Sequence, residues 1–217
     1  MPEAPKIHPV DILAVILEAQ NKYGSRIDFT IPKRGITGRK PMRVRKGSLV
    51  HIQEMFENAV TYGTAPPGTP LAECRVALDE GRLIIQVVNE SPPINLAPLK
   101  KKLMAAAREG KVAQEPDGGL WVCNTADEVT GRIDSGLASK AAVPEELDAS
   151  LKKNPNQLMF VGRLSGHESE DRPGGIGLYL LKKMAKEGGG DLKFSCKTTP
   201  AGHIVKFILI LPVFDEI

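Results

Sequence analysis

Leu49-Val50-His51-Ile52-Gln53-Glu54-Met55-Phe56-Glu57-Asn58-Ala59-Val60-Thr61-Tyr62-Gly63 carries apolar side chains at Leu49, Ile52, Met55, Phe56 and Ala59. That spacing lines them along one face of an α-helix. Ser48 is placed to cap the helix, and Gly63 with Pro66-Pro67-Gly68 behind it ends the helix. Glu54 and Asn58 are four residues apart and project together from another face. A carboxylate and a carboxamide therefore share one space beside a helix that must bury its other side on a sheet. Such a pair could hold Mg²⁺ beside a triphosphate through the Asn58 carbonyl oxygen, with Glu54 polarising an attacking water. Taken alone, an ExxxN pair is more often the solvated face of a helix.

Upstream, Ile12, Leu13, Ile16 and Leu17 recur at helical spacing behind Pro9 and predict a short amphipathic helix over Val10–Asn21, ending near Gly24. Arg26–Ile31 alternates charged and apolar residues and stops at Pro32, as a half-buried strand does. Lys33–Lys46 is a loop rich in Lys and Arg. It has no interleaved aromatic residues, so it does not point to nucleic acid.

Downstream, Cys74–Leu78 and Arg82–Val88 flank Asp79-Glu80-Gly81 and predict a hairpin, whose second strand leaves into Asn89-Glu90-Ser91-Pro92-Pro93. Residues 95–157 read as an insertion, with a Lys-rich helix over Leu96–Arg108, a short strand over Gly118–Val122 and a helix over Pro144–Lys152. Lys100-Lys101-Lys102 reads as a solvated helix face, and Trp121 with Cys123 as packing in a small core.

Asp171–Gly177 is a glycine-rich loop that opens a helix over Leu178–Lys186, and Gly188-Gly189-Gly190 closes that helix before strands at Asp191–Lys197 and Ile204–Leu211. Backbone N–H groups at the start of a helix favour phosphate, and glycine lets the backbone come close to it. The GK[ST] ending of a Walker loop is missing.

Composition narrows the class without choosing a partner. In 217 residues, 29 basic and 26 acidic side chains leave a net charge of +3, too small an excess to imply nucleic-acid or membrane binding. Cys74, Cys123 and Cys196 form no CxxC pair and suggest neither a disulfide framework nor a zinc site, which fits a reducing cytoplasm. No apolar run approaches the roughly 20 residues that span a bilayer, and the N-terminus lacks the features of a signal peptide.

In this order, Glu54-Met55-Phe56-Glu57-Asn58-Ala59, Val88-Asn89-Glu90-Ser91-Pro92-Pro93-Ile94 and Gly174-Gly175-Ile176-Gly177-Leu178-Tyr179-Leu180-Leu181 resemble the histidine-kinase-like ATPases, the family of gyrase, Hsp90 and MutL. The resemblance covers most of the chain outside the insertion. It implies an α/β fold of the α+β sandwich type, a mixed and mostly antiparallel sheet covered by helices on one face, as one domain over residues 1–217. It also implies ATP as substrate with Mg²⁺, Asn58 as the magnesium ligand and Glu54 at the general-base position of the ATP-hydrolysing members. Many histidine kinases carry Asn at that position and use the position of Glu57 for polar assistance. Asn89 and Ser91 would meet the base, while Arg172, Gly174, Gly175, Gly177 and Leu178 would meet the phosphates behind a mobile lid.

The middle motif departs from the family, which has an Asp followed by two glycines where this chain has Asn89, Ser91 and Pro93. Asn89 is a neutral acceptor in place of a carboxylate, and Pro93 removes a backbone donor. Reduced ATP affinity, or a different occupant, is the consequence. None of His8, His51, His167 and His203 reads as a phospho-acceptor, and no two-helix dimerisation module precedes the first motif. His51 reads as helix surface, and His167 falls in the lid with Arg163 and Arg172.

The expected function is a stand-alone, cytoplasmic ATP-binding domain that hydrolyses ATP or phosphorylates a separate protein in signalling, as in split histidine kinases or anti-sigma-factor serine kinases. The alternative is a degenerate, non-enzymatic domain of the same fold that acts as a protein-interaction scaffold or regulator; the expected partner is a separate protein acceptor or a regulatory partner.

Overall fold

Two apolar spacings, every third or fourth residue and every second, sort this chain into helices and strands. The computed structural model describes residues 12–31, 48–164, 176–200 and 202–212. Its elements in chain order are α1 (Ile12–Tyr23), β1 (Ile27–Thr30), α2 (Ser48–Tyr62), β2 (Ala72–Asp79), β3 (Arg82–Ser91), α3 (Ala97–Arg108), β4 (Val112–Gln114) and β5 (Leu120–Val122). They continue with α4 (Ala126–Asp134), β6 (Lys140–Ala141), α5 (Pro144–Lys153), a 3-10 helix (Pro155–Phe160), α6 (Gly177–Glu187), β7 (Asp191–Thr199) and β8 (Gly202–Pro212). The chain divides into two compact units, Met1–Ile94 with Met184–Ile217, and Asn95–Lys183. The basic loop at 33–46, the side chains of Ser48 and His51, and His8, His167, Arg172, Gly174 and Gly175 lie outside the described residues.

The first unit is built on a five-stranded sheet of order β1-β2-β3-β8-β7. Only β1 and β2 run parallel, so the sheet is mixed and mostly antiparallel as expected. Glu80 and Gly81 both have positive φ, at 45° and 75°, which matches the two-residue turn that the right-handed strand twist favours. Side chains alternate along each strand. Cys74 and Val76 of β2, Leu83, Ile85 and Val87 of β3, and Val205, Phe207, Leu209 and Leu211 of β8 are buried. Helices α1 and α2 bring Ile16, Ile52, Met55 and Phe56 into the same core. The Phe56 ring lies 5.6 Å from that of Phe29 on β1 and 6.4 Å from that of Tyr23 on α1.

Three glycines close α6. Gly190 N donates to Ala185 O at 2.7 Å, Gly189 N to Lys186 O at 2.9 Å, and Gly189 sits at φ 79°. This is the paired 6→1 and 5→2 pattern that satisfies the last carbonyls of a helix.

The second unit holds a three-stranded antiparallel sheet of order β5-β4-β6. One small core joins Leu103, Val112, Leu120, Leu147, Leu151 and Leu158. A second joins Ala113, Cys123, Val129 and Ala138 with Trp121 packed against it, as expected of Trp121 and Cys123. Lys101 and Lys102 are exposed, whereas Lys100 reaches Asp148 of α5 at 2.7 Å. Lys100 and Lys152 together hold the Asp148 carboxyl at about 2.

Two departures from the sequence reading have clear physical causes. Helix α4 was not anticipated, although Thr125 accepts from Glu128 N at 3.1 Å and Glu128 Oε2 accepts from Asn124 N at 2.9 Å. These bonds form the start signature of a helix, a Thr followed three residues later by Glu. Strand β3 continues through Asn89, Glu90 and Ser91, where turn-forming residues predict a loop. Val205, Ile204 and His203 of β8 pair with those three residues and carry the ladder onward, so the neighbouring strand overrides local propensity.

Candidate functional site

Helix α2 packs against β3, and its half-buried positions include both Glu54 and Asn58. The i, i+4 spacing keeps the two on one side of the helix, so the structure preserves the pairing that the sequence suggested. Glu57 is engaged elsewhere. Its Oε1 accepts from Tyr23 Oη at 3.0 Å and pairs with Lys22 Nζ at 3.2 Å, which ties α2 to α1. Burial raises the Tyr23 hydroxyl above its ordinary value and keeps it a donor.

The exit of α2 is fastened to the strand that carries the middle motif. Thr64 N donates to Glu90 O at 2.8 Å. A Cβ on Gly63 would lie 2.3 Å from Ala59 O and 2.9 Å from Leu71 O, so the chain passes here only as glycine. The backbone carbonyl between Asn89 and Ser91 is thereby the anchor for the end of the Glu54/Asn58 helix.

Asn89 and Ser91 are 5% and 4% exposed, buried on the core face of β3. Asn89 Nδ2 donates to Glu90 O at 3.2 Å and Ser91 Oγ donates to Pro92 O at 3.0 Å. Both side chains spend donors on the local backbone. What they hold for a ligand are neutral acceptor lone pairs on Asn89 Oδ1 and Ser91 Oγ and the second N–H of Asn89 Nδ2. Cys74 on β2 offers no nucleophile, because burial pushes its thiol up to about 12.

Sequence reasoning missed His203. It stands opposite Ser91 on β8, and its Nδ1 accepts from Ile94 N at 2.9 Å. The bond spans 109 residues of sequence, so no local signal could have revealed it. It fastens the Pro92-Pro93-Ile94 exit directly behind Asn89 and Ser91. Replacing His203 by Ala is expected to raise amide exchange at Ile94 by about fivefold or more, since a net hydrogen bond contributes about 1 kcal/mol and the amide is left unpaired. His203→Asn, whose Oδ1 can stand where Nδ1 does, should restore most of the protection. Hydrogen exchange followed by mass spectrometry reads both, and unchanged exchange in the Ala variant would remove His203 from this role.

Of the glycine loop, the described residues include Gly177, the first residue of α6, and the half-buried Leu178. Leu180 N donates to Ile176 O at 2.9 Å, so the first helical bond closes there and the N–H groups before it have no partner within the helix. Among the described residues, no three His, Cys, Asp or Glu side chains gather as a metal site. Asn58 is a hard oxygen donor of the kind Mg²⁺ takes when water and phosphate complete the shell.

No protein-family model matches the chain, and no curated protein matches it. Among the solved structures similar to it are two histidine kinase structures. The mycobacterial sensor histidine kinase MprB is 15% identical with a TM-score of 0.45, over 96% of this chain and 100% of that one. The histidine kinase domain of the E. coli osmosensor EnvZ is 14% identical with a TM-score of 0.46, over 100% of this chain and 95% of that one.

Proposed function

We propose that the chain binds Mg·ATP and delivers its terminal phosphate to water or to a separate protein in signalling. The observation that carries this reading is the fastening of α2, with Glu54 and Asn58 on one side, through Thr64 to the β3 segment that buries Asn89 and Ser91. In this reading residues 1–217 form one ATP-binding domain interrupted at about 95–157, and it works in the cytoplasm. No described helix is long and apolar enough to cross a membrane.

Asn58 would give its amide oxygen to Mg²⁺, which when bound neutralises charge on the phosphates. Glu54 would take the proton of the attacking water or hydroxyl as its oxygen bonds to the terminal phosphorus and the bond to the ADP oxygen breaks. Arg172, Gly174, Gly175, Gly177 and Leu178 would bind the phosphates by side-chain charge and backbone N–H groups. Asn89 Oδ1 would accept from the adenine amino group. A neutral acceptor makes that bond weaker than a carboxylate does, so modest affinity is the expectation.

Calorimetric titration of Mg·ATP into the wild type and Asn58→Ala tests the reading. Heat of binding is expected in the wild type, and a loss of affinity of about tenfold or more in the variant, equivalent to about 1.4 kcal/mol. A folded wild type that binds no nucleotide would overturn it. That result would favour a regulatory scaffold, a reading in which Asn89 and Ser91 serve the local backbone through their bonds to Glu90 O and Pro92 O.

A further inference from the structure

The carbonyl of Glu90 takes two donors, Thr64 N at 2.8 Å and Asn89 Nδ2 at 3.2 Å. The second bond decides which way round the Asn89 amide sits, because the reversed amide would set Oδ1 against a carbonyl oxygen. One N–H of Asn89 is therefore committed, and Oδ1 and the other N–H are left over. Asn89 is 5% exposed, and the residues paired with it, Ala72 on β2 and Val205 on β8, are buried and apolar. Neither Oδ1 nor the second N–H has a hydrogen-bond partner among the described residues. A buried amide with one acceptor and one donor still to match calls for a partner that supplies the complement of both.

The edges of the purines differ at this point. The 6-amino group of adenine donates and N1 beside it accepts. The 6-oxo group of guanine or hypoxanthine accepts and N1–H beside it donates. A carboxylate only accepts, so it takes the first edge and rejects the second. The Asn89 amide has an answer to each, Oδ1 for the 6-amino group and the second N–H for the 6-oxo group.

We propose that the site takes 6-oxo purine nucleoside triphosphates as well as ATP, and that Asn89 is the residue that sets this breadth. The inference rests on the nucleotide-binding reading above. Glu90 O holds the amide in one orientation, so adenine can make both bonds at once, its 6-amino group to Oδ1 and its N1 to the second N–H. A 6-oxo purine carries its donor and acceptor in the reverse order and makes one of the two. ATP thus keeps the advantage of one net hydrogen bond, about fivefold in affinity.

Calorimetric titration of the full chain with Mg·ATP, Mg·GTP and the magnesium complex of inosine triphosphate tests the proposal. Inosine triphosphate carries the 6-oxo edge without the 2-amino group of GTP, so a clash at that group cannot hide the result. Its Kd is expected within about tenfold of that of ATP. Asn89→Asp should widen this gap by about tenfold or more, because the 6-oxo group then faces an acceptor and no donor. A wild-type gap larger than tenfold overturns the proposal and leaves ATP binding standing. A gap that a folded Asn89→Asp leaves unchanged overturns it too, since another residue then reads the base. If the carboxylate, set beside Glu90 O, prevents folding, the wild-type ratio alone decides. Absence of binding by all three nucleotides overturns the nucleotide-binding reading itself and this proposal with it.

Discussion

Replacing Glu115 by Gln is expected to destabilise the second unit by about 3 kcal/mol, the lower end of what breaking a buried ion pair costs. The Glu115 side chain is 2% exposed, between β4 and β5, and its two oxygens serve two cations, Arg132 Nη2 on α4 at 2.8 Å and Lys183 Nζ on α6 at 3.0 Å. Gln keeps the shape but removes the charge, leaving a guanidinium that is only 17% exposed without its counter-ion. Lys183, at 34% exposed, recovers some hydration, which is why the expected loss is not larger. The same cluster packs the only tryptophan of the chain. Arg132 lies 4.6 Å and Arg163 5.3 Å from the Trp121 ring, and Tyr179 meets it edge-on at 5.1 Å. Tryptophan emission therefore reports on this unit alone. Its urea midpoint should fall in Glu115→Gln, and fall less in a Glu115→Gln/Arg132→Met double variant, where the buried guanidinium is gone and only the more exposed Lys183 lacks its counter-ion. An unchanged midpoint in the single variant would mean that the ion cluster does not hold the unit together.

Glu115 also shows where the sequence stops being informative. Glu115-Pro116-Asp117-Gly118-Gly119 reads plainly as a turn, but nothing in it says that the glutamate is buried. Its partners lie 17 and 68 residues away, and only the packing of α4 and α6 on the small sheet brings them in. Helix α2, the Glu80-Gly81 hairpin and the closing helix-hairpin were legible because each is set by spacing and turn chemistry within a few residues. The start of α4 was equally local and was overlooked. The end of β3 was not local at all, because its last residues are strand only by virtue of β8.

The site divides in the same way. Glu54 and Asn58 follow from helical spacing, and the structure keeps them together at half-buried positions. The binding of Glu57 by Lys22 and Tyr23 depends on how α1 lies against α2, which no motif encodes. This long-range contact separates two carboxylates three residues apart on one helix into different roles. Glu57 is committed to joining α1 and α2, and the proposed reading assigns the chemistry to Glu54.

Glu54→Gln is accordingly expected to lower the turnover of ATP by about 10²- to 10⁴-fold, the range for loss of a positioned general base. Affinity for Mg·ATP should stay within about twofold, because the residue would act on the attacking oxygen rather than on the bound nucleotide. Gln matches Glu in volume and nearly in helix propensity, so α2 should persist. Glu57→Gln is the matched control: it weakens the Lys22 and Tyr23 contacts, so it should lower the melting temperature and leave kcat nearly unchanged. Steady-state kinetics alongside calorimetric Kd values separates the two effects. If Glu54→Gln and the wild type hydrolyse ATP at the same rate, Glu54 has no part in catalysis. If Glu57→Gln loses turnover instead, the catalytic carboxylate is the one that α1 holds, and the reach of α1 across α2 is part of the active site rather than of the core.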